Sequence, residues 1–275
     1  MKTVAHLSDL HFGRLDEAVL DPLRLALERL HPDLVVISGD LTQRARKGQF
    51  RDAKEYLDSL PMPQIVVPGN HDVPLYNVVK RFLAPLKNYR EIISDDLQPD
   101  YIDDEIAVVG VNTARSFVFK GGRINDEQVE AVKAKLCGLP DGITKILVTH
   151  HPFDVPKDSG EGDQIVGRAR MALEKLAGCG ADLLLSGHLH DAHVGHTAER
   201  YPIAGVSALV VQAGTATSSR TRETPNSFNV LRVESNHVVV EQHAWDEGDF
   251  RPKGVQDFVH DLQGWHASGA GHAGG

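Results

Sequence analysis

Cysteine is scarce in this chain: its 275 residues include two, Cys137 and Cys179. Two thiols cannot build the disulfide framework of a small secreted domain, and their scarcity fits a reducing cytoplasm. Long apolar runs are also missing. No stretch approaches the roughly 20 apolar residues that a bilayer-spanning helix requires. The opening residues, running through Thr3-Val4-Ala5-His6-Leu7-Ser8-Asp9, are too short and polar for a secretory signal. A cytoplasmic chain with no membrane partner is therefore expected. Basic charge is in deficit, with 29 Lys and Arg against 38 Asp and Glu and a net charge of -9. With no Lys/Arg stripe either, nucleic acid is an unlikely partner. Internal repeats and a convincing interdomain linker are absent too. What is abundant is histidine, with 15 copies.

The remaining composition, 41% apolar and 24% charged, excludes wholesale disorder and supports a sizeable core. Short, β-branched apolar runs recur at 3–7, 34–37, 64–67, 106–111, 145–148 and 182–185, and read as buried strands. Helical stripes lie between them. Leu20, Leu23, Leu27 and Leu30 share one helix face, which Asp21-Pro22 is expected to start and His31-Pro32 to stop. Asn125 with Gln128 reads as a capping box ahead of Val129, Val132 and Leu136. Ala169, Leu173 and Leu176 form another stripe. Beyond about residue 186 come successive strands at 208–212, 228–233 and 237–242. The expected fold is α/β, a two-sheet α-β-β-α sandwich with helices on the outer faces. One domain over 1–250 is expected, with a C-terminal extension over 251–266 and a disordered tail over 267–275. Segments 84–105, 115–125 and 153–166 read as surface loops.

Following each apolar run to its C-terminal end locates the chemistry. The first leads to Asp9-Leu10-His11 and the second to Gly39-Asp40. The third leads to Gly69-Asn70-His71-Asp72, the fifth to His150-His151, and the sixth to Gly187-His188-Leu189-His190. Ligands of open α/β sheets bind beyond the carboxyl ends of strands, so these groups point to one shared site. Asp9 with His11, and His188 with His190, are i, i+2 pairs that face one side if the backbone is extended. Carboxylate, imidazole and amide oxygen suit Zn, Mn, Fe or Mg. Seven ligands, Asp9, His11, Asp40, Asn70, His150, His188 and His190, are too many for one ion. Two divalent metal ions sharing a carboxylate can use them all.

Asp-x-His, Gly-Asp, Gly-Asn-His-Asp, a lone His and Gly-His-x-His, in this order, resemble the calcineurin-like metallophosphoesterases. The likeness covers about residues 3–245 and is nearest to bacterial class III cyclic nucleotide phosphodiesterases. It implies that Asp9, His11, Asp40 and His190 hold one metal. Asp40, Asn70, His150 and His188 would hold the other, with Asp40 bridging and His151 the alternative to His150. It further implies hydrolysis of a small phosphodiester, such as a cyclic nucleotide, by a metal-bridging hydroxide. His71 would stabilise the transition state or protonate the leaving oxygen, with Asp72 a candidate to orient its ring. The protein-phosphatase branch carries Asp and Arg at the third and fourth positions after the Gly-Asp aspartate. Here Gln43 and Arg44 stand there, which weighs against that branch.

Competing readings are a nuclease, a nucleotide-sugar or lipid pyrophosphatase, and a non-catalytic metal-binding scaffold. The excess of acid opposes the first, and no basic amphipathic segment marks the second. No ligand position is lost, which opposes the third. Arg44 is a candidate for substrate phosphate or for a surface ion pair, and Asn112 for a supporting or a turn role. Arg220 and Arg222 are weak candidates for an anionic substrate. His193 and His196 read as solvated loop, while His6, His31, His237, His243, His260, His266 and His272 read as structural or exposed.

Overall fold

The structure is a computed structural model, and it describes residues 1–117, 121–156, 160, 162–197, 200–203, 207–219, 224–262 and 264–268. Arg220, Arg222 and residues 269–275 of the expected tail lie outside the described residues.

The described strands form two sheets. The first contains β1 (Lys2–Leu7), β2 (Leu34–Ile37), β3 (Gln64–Val66), β10 (Ser227–Glu234), β11 (His237–Asp246), β12 (Asp249–Asp261) and β13 (Gly264–Ala267). Its order is β13-β12-β11-β10-β1-β2-β3, with β1, β2 and β3 parallel. The second contains β4 (Asp100–Ile102), β5 (Ile106–Gly110), β6 (Thr144–Val148), β7 (Leu183–Ser186), β8 (His193–His196) and β9 (Leu209–Gln212). Its order is β4-β5-β6-β7-β9-β8, parallel from β5 through β9.

Val4, Val36, Val108, Ile146, Leu185 and Val211 belong to the apolar cluster made by the facing sides of the two sheets. The first sheet's other side is covered by α1 (Glu17–Leu30) and α2 (Lys47–Asp58), through Leu23, Leu27, Phe50 and Leu57. The second sheet's is covered by α5 (Asp126–Leu136) and α6 (Ala169–Leu176), through Val129, Val132 and Leu173. This is the α-β-β-α sandwich. Strands buried on both faces read as continuous apolar runs, which is why the central ones were visible in the sequence.

Local chemistry sets the helix ends. Asn125 Oδ1 accepts from the Gln128 amide at 2.8 Å, and Gln128 Oε1 accepts from the Asn125 amide at 3.2 Å, completing the capping box. Helix α1 starts earlier than the Asp21-Pro22 signal suggested. Asp16 is its N-cap, accepting from the Ala18 amide at 3.1 Å, and Pro22 lies inside. Proline there forfeits one backbone bond, which the buried face of Val19, Leu23, Ala26 and Leu27 outweighs. Segment 84–105, read as loop, holds α4 (Lys87–Ile92) and β4, and a further short helix, α3 (Val78–Leu83), precedes it. Residues 251–266 continue the first sheet through β12 and β13.

Cys137 and Cys179 are joined in a disulfide, with Cα atoms 4.6 Å apart. The crossover through α5, β6 and α6 brings together thiols that are 42 residues apart in sequence. One staple is no framework, yet it departs from the reduced thiols expected of a cytoplasmic chain. Among the described residues, no helix is long and apolar enough to cross a membrane.

His6, on β1, is fully buried, with Nε2 3.0 Å from Ser38 Oγ. Burial lowers its pKa to about 3, against a partial upward pull from the Asp9 charge. The unfolded chain therefore takes up this proton first, near the ordinary value of about 6.5. Stability from neutral His6 is full above that value and is lost as pH falls toward about 3. His6→Asn is expected to flatten the urea-stability profile in this window, by up to about 1.4 kcal/mol per pH unit. An unchanged slope would show that His6 does not titrate on unfolding.

Candidate metal centre

The parallel strands of both sheets end at one edge, and the polar motifs follow directly. Asp9 and His11 come after β1, Asp40 after β2, and Asn70 and His71 in the turn after β3. His150 comes after β6, and His188 and His190 after β7. The structure brings the predicted side chains together. His11 Nε2 lies 3.3 Å from Asp9 Oδ1 and 3.8 Å from Asp40 Oδ2. His190 Nε2 lies 3.8 Å from Asp9 Oδ1. His150 Nε2 lies 3.4 Å from Asp40 Oδ2, 3.1 Å from Asn70 Oδ1 and 3.2 Å from His188 Nδ1.

The reason that paired ligands converge is not the extended backbone assumed for the i, i+2 pairs. Asp9, His11, Asp40, His188 and His190 all adopt left-handed φ, between 52° and 75°. Only a few per cent of non-glycine residues do so, and such conformations concentrate where surrounding bonds enforce them. Here backbone and carboxylate acceptors share that work, with the Asp9 amide donating to the Gly39 carbonyl at 3.1 Å and the His11 amide to that of Asp40 at 2.9 Å. Asp9 Oδ2 accepts from the Ser8 hydroxyl at 2.6 Å and from the His188 amide at 3.0 Å. Asp40 Oδ1 accepts from the His71 amide at 2.8 Å. Two motif glycines make room for this. A Cβ on Gly187 would collide with Ser8 Oγ and come within 2.7 Å of Asp9 Oδ2, while one on Gly69 would collide with Asp40.

Asp72 does not orient the His71 ring. Its carboxylate accepts from the amides of Gly69 at 2.9 Å, Leu41 at 3.1 Å and Thr42 at 2.9 Å, tying the β2 and β3 loops together. The His71 ring is instead held by Gln43, whose carbonyl oxygen lies 3.1 Å from Nδ1. Arg44 stacks over Tyr76, with Cζ 5.4 Å from the ring centroid. Asn112 takes the turn role, its Oδ1 accepting from the Ala114 amide at 2.9 Å.

Several supporting groups went unread in the sequence. Ser38 O lies 2.8 Å from His150 Nδ1, and Thr215 Oγ1 lies 2.6 Å from His190 Nδ1. Thr113 Oγ1 lies 2.8 Å from His151 Nδ1. Thr215 was reachable by the rule that found the rest, because β9 leads to Ala213-Gly214-Thr215.

Charge and burial are in conflict at this edge. Burial would raise the Asp40 pKa, but the imidazoles of His150, His71 and His11 hold it well below the usual carboxylate range. Burial would lower that of His150, but Asp40, Asp9 and the Ser38 carbonyl raise it to about 9. His188 goes the other way, to about 3, through burial and the adjacent His150 charge. Asp72 is raised to about 6 by burial and by Asp40, against its three amide donors.

The residues fit divalent cations. Asp9 Oδ1, both His11 nitrogens and His188 Nε2 are buried without a hydrogen bond, a costly condition unless a ligand completes them. Ligand atoms of Asp9, His11 and His190 lie within 4.8 Å of one another, as do those of Asp9, Asp40 and His150. The same holds for His11, Asp40 and His71, and for His150, His151 and His188.

Comparison with known proteins places this arrangement. The family model described as calcineurin-like phosphoesterase matches residues 2–192. The 3',5'-cyclic adenosine monophosphate phosphodiesterase CpdA of Escherichia coli K12 is 25% identical, over 68% of this chain and 69% of its own length. The glycerophosphodiester phosphodiesterase GpdQ of Enterobacter lignolyticus is 28% identical, over 54% of this chain and 57% of its own. Among solved structures, the purple acid phosphatase PPD1 of yellow lupin superposes with a TM-score of 0.68 at 12% identity. That match covers 92% of this chain and 53% of the lupin chain.

Gly187→Ala is expected to destabilise the fold by about 1–3 kcal/mol, because the added methyl overpacks against Ser8 and Asp9. Thermal melting with and without Mn²⁺ checks this. The melting temperature should fall and the stabilisation by metal should shrink; an unchanged pair of melts would contradict the close approach.

Proposed function

We propose, from the premise that this chain belongs to the calcineurin-like phosphoesterase family and is a metal-dependent phosphoesterase, that it hydrolyses a small phosphodiester at a dinuclear centre. The observation that carries this reading is the convergence of seven ligand-type side chains, two of them buried carboxylates. The names of both relatives support a diester over a monoester, and a cyclic nucleotide is one such diester.

Asp9, His11, Asp40 and His190 are assigned to one ion. Asp40, Asn70, His150 and His188 are assigned to the other. His150 is preferred to His151 because its Nε2 faces Asp40 at 3.4 Å and Asn70 at 3.1 Å. Its Nδ1, held by the Ser38 carbonyl, keeps the proton and leaves Nε2 as the donor atom. Thr215 sets the His190 ring in the same way. When bound, two divalent ions neutralise phosphoester oxygens and make water nucleophilic near neutral pH. The residue types suit Mn, Fe or Zn.

The chain's own contribution is to fix these groups and to manage the leaving oxygen. His71 donates Nδ1–H to the Gln43 carbonyl, which fixes its ring beside Asp40 and His11. From there it gives a proton to the leaving oxygen as the P–O bond breaks. Gln43 offers no carboxylate to His71, and the carboxylate beside its ring is Asp40, whose pKa the His71 imidazole helps to lower.

Activity on bis(p-nitrophenyl) phosphate should require added metal and fall to background in Asp40→Ala, which should also lose bound metal. Equal hydrolysis by wild type and Asp40→Ala would refute the assignment. His71→Ala should retain metal and lose about 10²–10⁴-fold in kcat on an alkyl diester. The loss should be smaller on the p-nitrophenyl diester, whose leaving group needs no proton. Equal losses on both would remove His71 from proton transfer.

A further inference from the structure

An apolar surface stands beside the centre and is used by none of the chemistry above. Tyr76, Leu83 and Phe117 are 77%, 82% and 84% exposed, and Val78, Val79 and Phe82 are exposed with them. The Phe82 and Phe117 rings meet at 4.9 Å between centroids. Beneath them Arg81 is 3% exposed, its Nε donating to the Ser116 carbonyl at 2.6 Å and Nη1 to that of Pro74 at 3.1 Å. That guanidinium ties α3 to the segment bearing Phe117. Single exposed apolar residues need no explanation, but a contiguous cluster marks a contact.

The charge beside this cluster is reversed relative to the rest of the chain. From Val73 to Arg90 there are four basic residues and no acidic one, in a protein of net charge -9. Lys47, Lys80 and Lys87, with Asn88, line a cavity of 240 Å³ against α3. Two carboxylates also border it. Asp72 is occupied by backbone amides, and Glu91 is shared by Lys47 and Lys87, each at 3.6 Å. Three ammonium groups therefore stand against two carboxylates, an excess of one positive charge.

We propose that this face docks on an anionic phospholipid bilayer, with a lipid phosphate in the lysine cavity and the α3 side chains among the acyl chains. Protruding apolar groups beside lysines are the composition of interfacial anchors, and each surface lysine adds attraction to anionic lipid. Among the described residues no helix is long and apolar enough to span a membrane, so the contact is interfacial and departs from the expected absence of a membrane partner at this face alone. Tyr76 lies beneath Arg44, the neighbour of Gln43, so the docked face adjoins the metal centre.

Co-sedimentation of the full-length, metal-loaded chain with phosphatidylcholine vesicles, with and without phosphatidylglycerol, tests this. At about 0.1 M salt, where charges are screened beyond about 10 Å, binding should still favour the anionic vesicles by at least about ten-fold. Leu83→Asp and Lys80→Glu should each weaken it about ten-fold or more. Both variants should keep the wild-type melting temperature and rate on the soluble p-nitrophenyl diester. Failure to bind anionic vesicles, equal binding to both kinds, or full binding by Leu83→Asp would overturn the proposal. So would a wild-type dimer in sedimentation velocity that Leu83→Asp converts to monomer.

Discussion

Asp9 and Asp40 are almost wholly buried, at 0% and 1% exposure, although ionised carboxylates are costly to remove from water. Their cost is offset by donors that lie on other loops of the same edge. Asp9 accepts from the His188 amide, and so reaches from the first sheet to a loop of the second. His150 answers in the opposite direction, from β6 to the Ser38 carbonyl after β2 at 2.8 Å. The two sheets are therefore joined at this edge by charge and hydrogen bonds as well as by the apolar packing between them. The glycines that carry no Cβ against Ser8 and Asp40 and the His188 and His71 amides turned toward Asp9 and Asp40 are the local means of satisfying these two carboxylates.

Much of this was legible in the sequence, for a physical reason. Strands buried on both faces produce unbroken β-branched runs, and a parallel sheet puts all functional groups at the ends of those runs. Reading to the end of each run therefore found Asp9, Asp40 and His188 without knowledge of any contact. The backbone geometry was not legible. Left-handed φ at non-glycine residues depends on long-range acceptors, so the i, i+2 pairs were explained by the wrong conformation. Asp72 neighbours His71 in sequence, but adjacency does not fix a contact, and its carboxylate turns to the amides of Gly69, Leu41 and Thr42. Helix α2 buries Phe50, Ala53 and Leu57 at helical spacing and was passed over among its charged residues. The disulfide between Cys137 and Cys179 depends on a tertiary crossover that no local pattern records.

Net charge proved a poor guide to any single face. The chain is acidic as a whole, yet in the proposed function the edge that carries Asp9 and Asp40 gathers cations and thereby attracts a phosphoester. The α3 face beside it is basic and apolar. Each region answers to its own local field, within the roughly 10 Å over which charges act in salt.

The central claim is that Asp40 bridges two metal ions, and electron paramagnetic resonance of the protein titrated with Mn²⁺ tests it most directly. A shared carboxylate holds the ions about 3.5–4 Å apart. The account predicts a spin-coupled spectrum from the pair once both positions are filled. The hyperfine pattern of isolated ions, persisting at full loading, would contradict it.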